Sequence, residues 1–350
     1  MNAATGRASC KARPLNKRRL RIACAIDYDL LRPVSAGKPN SDRAHCIHDV
    51  YTSLMEAFSE VHLVPVVGSL GQVLESLRAL EPDAVFNIAL SGTPVEAGFA
   101  GALEFEKFAF TGAGPIGIGL SRDKVRSRHL LAAAGVDVPR FVEIPPRQRP
   151  DLGSLRPPLL VKPANLSGSS RGIHADSVVA SASAAHRLAR RVWATLGDTA
   201  VCDEFIVGRD FRVGVLEDAH GDFRLLGITE SKFPRAAEGH GFKTYSIRMN
   251  SRVRRSQSVE SVVASLPPSV RRRIAETARI TGRVLALRGY FTLDIRLDHQ
   301  GRCFVVDANA NPGLSRSSLI WGKPSLAHNL RQVVLRAIAR GVLPRNHGRL

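Results

Sequence analysis

Residues 290–309 constrain this chain more than any other stretch. Phe291, Leu293, Ile295 and Leu297 alternate with Tyr290, Thr292, Asp294 and Arg296. A period of two makes a half-buried strand. Asp298-His299-Gln300-Gly301 follows, with the residue types of a type I-based hairpin turn, and Cys303–Asn309 supplies the returning strand. With Asp298 paired to Gly301, Asp294 falls opposite Val305 and Thr292 opposite Asp307. Asp294, Asp307 and Asn309 then share one face, the two carboxylates diagonal and roughly 7–8 Å apart at Cα. Two carboxylates and an amide oxygen so spaced suit Mg²⁺ or Mn²⁺, hard cations that take oxygen ligands and bridge phosphates. The bland alternative is a polar face turned to water. Asn311-Pro312-Gly313 then turns the chain and can offer backbone N–H groups to an anion.

Upstream, the first third alternates strands and helices. Leu20–Ile26, Val61–Val67 and Asp83–Ile88 read as strands, and Asp49–Phe58 and Gly71–Leu80 as helices. That rhythm predicts a small parallel sheet with helices on both sides. A Gly- and Pro-rich stretch, Thr111–Gly119, breaks the pattern, and a helix follows from Asp123 to Ala134. After a proline-rich loop, Pro145–Pro158, the order is mixed. Leu159–Lys162, Ala200–Phe205 and Phe211–Leu216 are strands, and Ser181–Leu196 and Ser269–Leu287 helices. The expectation is α/β followed by α+β, divided as a basic tail at 1–20, an N-terminal domain at 21–112, a central subdomain at 113–200 and a C-terminal subdomain at 201–345.

No G-x-x-x-x-G-K-[ST] occurs, so a P-loop is excluded. Instead a strand ends at Lys162 and runs into a Gly/Ser-rich segment, Pro163–Gly172. A lysine so placed, followed by a loop whose N–H groups can cover phosphates, suits a nucleotide lid. A surface loop with a snorkelling lysine is the competing reading. Gly112-Ala113-Gly114-Pro115-Ile116-Gly117 matches G-x-G-x-x-G, but Pro115 sits where the phosphate-facing helix turn should begin, and Asp137 follows a helix rather than a strand. A dinucleotide fold is therefore not expected.

The chain carries a formal charge of +19 over 350 residues, a balance that attracts anions. The basic residues are scattered and not interleaved with aromatics, so nucleic acid is not an expected partner. No apolar run reaches the roughly 20 residues that span a bilayer. Five widely spaced cysteines, none in C-x-x-C, fit a reducing cytosol, and a cytoplasmic enzyme is expected. A homodimer is left open.

Taken in order, these blocks resemble D-alanine–D-alanine ligase and its ATP-grasp relatives, over about Pro82 to Ile320. Thr111-Gly112 to Lys124 is similar to the family's T-G-x-x-P … D-K segment. Pro158–Gly172 resembles P-x-x-V-K-P-x-x-x-G-S-S-x-G. The resemblance implies that Lys124 and Lys162 hold ATP phosphates and that Ser169 and Ser170 lie in the lid. Asp203, Glu204 and Ile206, with Asp210, correspond to the E-E-F-I-x-G-R-E hinge around adenine and ribose. Asp294, Asp307 and Asn309 match the magnesium ligands, and Gly313, Ser317, Ser318 and Leu319 the segment that holds the second substrate.

That family implies an ATP-grasp fold and a ligase that joins a small carboxylate to an amine through an acyl phosphate. A rival expectation is an inactive ATP-binding regulatory or interaction protein, against which the retained metal set argues. The departures concern substrate. The family's N-terminal G-G-x-S-x-E segment is replaced by Ile26-Asp27-Tyr28-Asp29-Leu30. Thr292 stands where the family carries an arginine that neutralises the tetrahedral oxyanion, and Asp307 replaces a glutamate. Arg248, Arg316 or the Gly313 N–H is the expected substitute for that arginine, and D-alanine is not the expected best substrate.

Overall fold

The computed structural model describes residues 19–27, 41–89, 95–165, 172–233 and 241–342. Nearly all of the basic tail, Tyr28–Leu30, and the lid residues Ser169 and Ser170 fall outside them. β1 (Arg21–Asp27), β2 (Glu60–Val66) and β3 (Ala84–Ile88) form a parallel sheet in the order β2-β1-β3, linked through α1 (Ser41–Ala57) and α2 (Leu70–Leu80). β3 is buried along its whole length, as parallel strands covered on both faces must be. Ser69 and Gln72 close a reciprocal capping box at the start of α2. α3 (Val95–Phe105) leads to Phe110, which adds a parallel bridge to Val85, and then to α4 (Pro115–Arg122) and α5 (Lys124–Ala133).

A second, antiparallel sheet holds β4 (Phe141–Ile144), β5 (Leu159–Pro163), β6 (Val178–Val179) and β7 (Ala200–Glu204), ordered β4-β7-β5-β6. α6 (Ala182–Leu196) lays Ala185, Ala189 and Val192 on it, over Ile144, Val161 and Cys202. The third sheet is antiparallel, ordered β10-β9-β8-β11-β12, from β8 (Arg209–Glu217), β9 (Phe223–Lys232), β10 (Glu260–Val263), β11 (Tyr290–Leu297) and β12 (Cys303–Asn309). α7 (Tyr245–Met249), α8 (Ser251–Ser256) and α9 (Pro268–Val284) lie between its strands in sequence, and α10 (Leu326–Val342) ends the fold. Phe211, Val213, Val215, Phe291, Leu293 and Ile295 are buried and join a core that reaches Ala23, Val85 and Leu103 of the first layer. The opposite face of this sheet carries the polar residues.

α3, α4, β4, β6, β9, α7, α8, β10 and α10 were not expected from the sequence. Pro115 does begin a helix: it opens α4 behind Gly114, since a proline there lacks only an N–H that the helix end leaves unpaired anyway. The neighbouring glycines serve packing. A Cβ on Gly117 would lie 2.5 Å from the Ala286 carbonyl oxygen, and one on Gly114 would lie 3.2 Å from the Arg288 guanidinium.

The hairpin register also differs from the expectation. Asp298 pairs with Arg302, its N–H donating to the Arg302 carbonyl at 3.1 Å, while Gly301 takes a left-handed φ of +78°. This is a type I turn closed by a glycine bulge. A second irregularity follows, because Ile295 pairs with Val305 whereas Asp294 pairs with Asp307, leaving Val306 as an extra residue. Asp294 and Asp307 are therefore directly opposite, not diagonal, and Thr292 faces Asn309 rather than Asp307. The two bulges together move β12 by two positions, which preserves the face and shortens the carboxylate separation.

Candidate active site

The site is built where the second and third sheets meet. β11 and β12 put Asp294, Asp307 and Asn309 on one face. One carboxylate oxygen of Asp307, Oδ1, is buried with no hydrogen-bond partner. A buried charged oxygen in that state is costly unless something cationic completes it. Asn309 Oδ1 accepts the Asn311 N–H at 3.1 Å, which fixes its amide beside the pair. All three donors are oxygens, so the set fits a hard divalent ion. Among the described residues no cluster of three His, Cys, Asp or Glu side chains exists, so any cation here depends on the asparagine as well.

The facing wall is cationic. Lys124 opens α5 and Arg128 lies one helical turn further on. Both are buried, as is Lys162 on β5. Asp203 on β7 anchors them. Arg128 grips it with two N–H groups, one at 2.9 Å, and Lys162 Nζ lies 3.1 Å from Oδ2. Burial alone would raise the Asp203 pKa, but Arg128 and Lys162 outweigh it and hold the carboxyl below its ordinary value. The same crowding acts on the lysines. Burial, reinforced by Arg128, brings Lys162 down to about 8 against the pull of Asp203 and Asp307. Burial also lowers Lys124, with Asp307 opposing. The two walls touch at Val306, whose carbonyl accepts from Arg128 at 3.2 Å and Lys162 at 3.4 Å. A β-bulge frees that oxygen from the ladder.

At the cleft's end, β7 turns into β8. Glu204 accepts the Arg156 N–H at 2.9 Å, and Ile206 is half-buried. Asp210 lies 3.6 Å from Arg296 Nη1. Arg296 is itself buried, stacked 4.5 Å from the centre of the Phe205 ring, and it donates to the Gly208 and Gly241 carbonyls at 3.0 Å. Gly208 adopts φ +147°, and a Cβ there would fall 2.1 Å from the Leu297 carbonyl oxygen. Gly208→Ala is therefore expected to destabilise the protein by roughly 1–3 kcal/mol and to disturb the turn carrying Asp210. Urea unfolding reads the first effect, and an unchanged midpoint would contradict this account of the turn.

Residues 313–320 close the other end. Gly313 packs near the Cys46 thiol, and that thiol donates to the Leu314 carbonyl at 2.6 Å. The Ser317 hydroxyl lies 2.9 Å from that of Ser315. Ser318 Oγ caps the Ile320 and Trp321 N–H groups, and Leu319 is exposed. Arg316 is spent on α1: Nη2 reaches Glu56 at 2.6 Å and Thr52 at 3.2 Å. The Arg248 side chain lies outside the described residues.

Asp203 thus faces the lysine cluster, a placement its hinge motif did not suggest. Arg128, Arg212 and Arg296 were missed. Lys124 and Arg128 stand four apart in a helix, and Arg296 alternates in phase with Asp294, so both signals were present in the sequence.

A family model described as D-ala D-ala ligase C-terminus matches residues 130–326. The D-alanine–D-alanine ligase of Methylobacterium radiotolerans is 32% identical over 252 residues, 70% of this chain and 76% of that protein. That of Methylocella silvestris is 31% identical over 256 residues, 71% and 77%. In fold, the chain is similar to the ATP-complexed D-alanine–D-alanine ligase of Bacillus anthracis, with a TM-score of 0.71 at 16% identity, covering 93% of this chain and 98% of that one. The Coxiella burnetii enzyme gives 0.66 at 17%, covering 93% and 95%.

Fold and family together define an ATP-grasp ligase, an enzyme that forms carbon–nitrogen bonds. The chain belongs to the D-alanine–D-alanine ligase family, whose members depend on ATP and generally use divalent metals. Among the described residues no helix is long and apolar enough to cross a membrane.

Proposed function

We propose that this enzyme activates a small carboxylate with ATP and joins it to the amine of an amino acid. The carrying observation is the buried, unpartnered Asp307 oxygen directly across from Asp294, facing two buried lysines. Asp294, Asp307 and Asn309 would hold Mg²⁺ or Mn²⁺, which neutralises phosphate charge when bound. Lys124 and Lys162 hold phosphate oxygens as point charges. Glu204, Ile206 and Asp210 line the nucleoside end, and the family resemblance gives Ser169 and Ser170, outside the described residues, a part in covering the phosphates. Gly313, Ser317, Ser318 and Leu319 border the amine substrate. The carboxylate oxygen attacks the γ-phosphorus and ADP departs. The amine then adds to the acyl carbon and phosphate leaves, in a cleft that keeps water away from the acyl phosphate.

D-alanine is the reference substrate because the relatives' names carry it. ATP-dependent phosphate release, screened over D-alanine, other amino acids and hydroxy acids, tests the reading. Release with one pair supports it and names the substrates. No release with any pair, alongside intact ATP binding, would support the rival binding-protein reading.

Lys162 gives a pH signature. Its ammonium is the form that binds phosphate, and it is lost as pH rises through about 8. Affinity for a non-hydrolysable ATP analogue is therefore expected to fall by up to about tenfold from pH 7 to pH 9. Lys162→Ala should bind more weakly at pH 7 and lose that component of the pH dependence. Calorimetry at the two pH values checks both points, and unchanged affinity in the variant would return Lys162 to the surface-loop reading. Stability runs the other way. The unfolded lysine, at its ordinary 10.5, keeps a proton that the native one sheds, so the folding penalty of this group is relieved between pH 8 and 10.5.

A further inference from the structure

We propose that Arg212 is the catalytic cation for the amine-addition step, reaching the reacting acyl oxygen from β8. The assignment rests on the ligase reading above. Arg212 pairs directly with Asp294 across β8 and β11, so the two side chains share the face that holds the carboxylates. Its Nη2 donates to Thr292 Oγ1 at 3.3 Å. The guanidinium therefore lies over the position that Thr292 leaves without charge. Two residues along β8, Gly214 faces Thr292 across the ladder, and Ile320 covers it so closely that a Cβ on Gly214 would come within 2.0 Å of Ile320 Cγ2. Arg212 thus lies beside Asp294, one side-chain position along β8 from Gly214 and the Ile320 that covers it, near both the carboxylates and the segment that the ligase reading assigns to the amine substrate.

Other arginines around this face point to different partners. Arg296 holds the Gly208 and Gly241 carbonyls, Arg316 is paired with Glu56, and Arg128 grips Asp203 on the opposite wall. Arg212 is only half-buried, so its N–H groups can meet a ligand without leaving the sheet.

The step it serves balances simply. The amine nitrogen forms a bond to the acyl carbon, and the carbonyl π pair moves onto oxygen. That oxygen becomes an anion, and Arg212 donates N–H to it. When the pair returns, the C–O bond to phosphate breaks, inorganic phosphate leaves with those electrons, and the new ammonium gives its proton to solvent. A donor aimed at charge that appears only in the transition state lowers kcat rather than ground-state affinity when removed.

The test uses Arg212→Gln, Arg212→Lys, Arg212→Thr and the exchange R212T/T292R in the full chain, with phosphate release and amide product measured under substrates that support wild-type turnover. Arg212→Gln is expected to reduce kcat by about 10²–10³-fold, with the Kd for a non-hydrolysable ATP analogue within about threefold of wild type, the signature of a group acting only in the transition state. Arg212→Lys should retain an intermediate rate. The exchange should recover at least about tenfold over Arg212→Thr alone, because it returns a guanidinium to the same spot from β11, which a purely structural role would not do. Near-wild-type turnover in Arg212→Gln overturns the assignment. So does a loss confined to ATP affinity, which would make Arg212 a nucleotide ligand. If the wild-type chain itself releases no phosphate with any pair, the ligase reading fails and this assignment with it. An active wild type with an equally active Arg212→Gln sinks the assignment alone.

Discussion

Asp294→Asn and Asp307→Asn are each expected to lower kcat by at least about 10²–10³-fold while leaving the fold in place. The size follows from what the pair does. The two carboxylates are directly opposite in a sheet, and one Asp307 oxygen is buried with nothing to bond. Neutralising either side chain removes half of the anionic charge available to a divalent cation, and electrostatic groups aimed at a reacting phosphate or oxyanion carry effects of this order. The fold should survive because the core face of β11, carrying Leu293 and Ile295, is untouched. Asp307 also offsets the charge of the buried Lys124 and Lys162, so Asp307→Asn is expected to lower the melting temperature modestly without unfolding the chain. Steady-state phosphate release at millimolar Mg²⁺, with circular dichroism on the same samples, measures both. Turnover close to wild type in either variant would remove these residues from the metal assignment.

Asp203→Asn should have the largest effect on stability. The carboxylate is almost wholly buried and shared by Arg128 and Lys162, themselves nearly inaccessible. Taking away the anion leaves two cations close together in a dry region, and breaking a buried pair from one side costs roughly 3–5 kcal/mol. The native carboxyl titrates below its ordinary 3.8. Its contribution is therefore complete above that value and is lost as pH falls through the lower native one. Urea unfolding at pH 7 decides the matter. A loss under about 1 kcal/mol would mean that the pairs are not formed in solution. The variant should also bind nucleotide poorly, since Lys162 would lose the partner that orients it.

Much of this could be read from residue order. The period-two pattern in β11 placed Asp294 on the polar face, and β11 and β12 have the predicted bounds. The apolar residues of β1, β2 and β3 and the helical spacing of α2 and α6 were equally plain. What failed has physical reasons. Gly301 carried a signal for the turn bulge, since a left-handed residue closing a type I turn is a recognisable loop type. Val306 carried none: a valine in a valine-rich strand looks regular, and only the contacts of Arg128 from α5 and Lys162 from the second sheet reveal it. The ion pairs of Asp203 are equally invisible in the sequence, because Arg128 lies 75 residues away. α10 went unforeseen because its apolar stripe is covered from within the chain, by α1 and the first sheet, partners that no local pattern names.

The Val306 bulge also bears on how strands of unequal length should be aligned. Removing that one residue from β12 would leave a regular ladder in which the same two carboxylates still oppose each other. What would vanish is the carbonyl on which Arg128 and Lys162 converge. A gap at this point in a comparison of related chains therefore signals a change in how firmly the two jaws of the cleft are latched, while the opposition of the two carboxylates is unchanged.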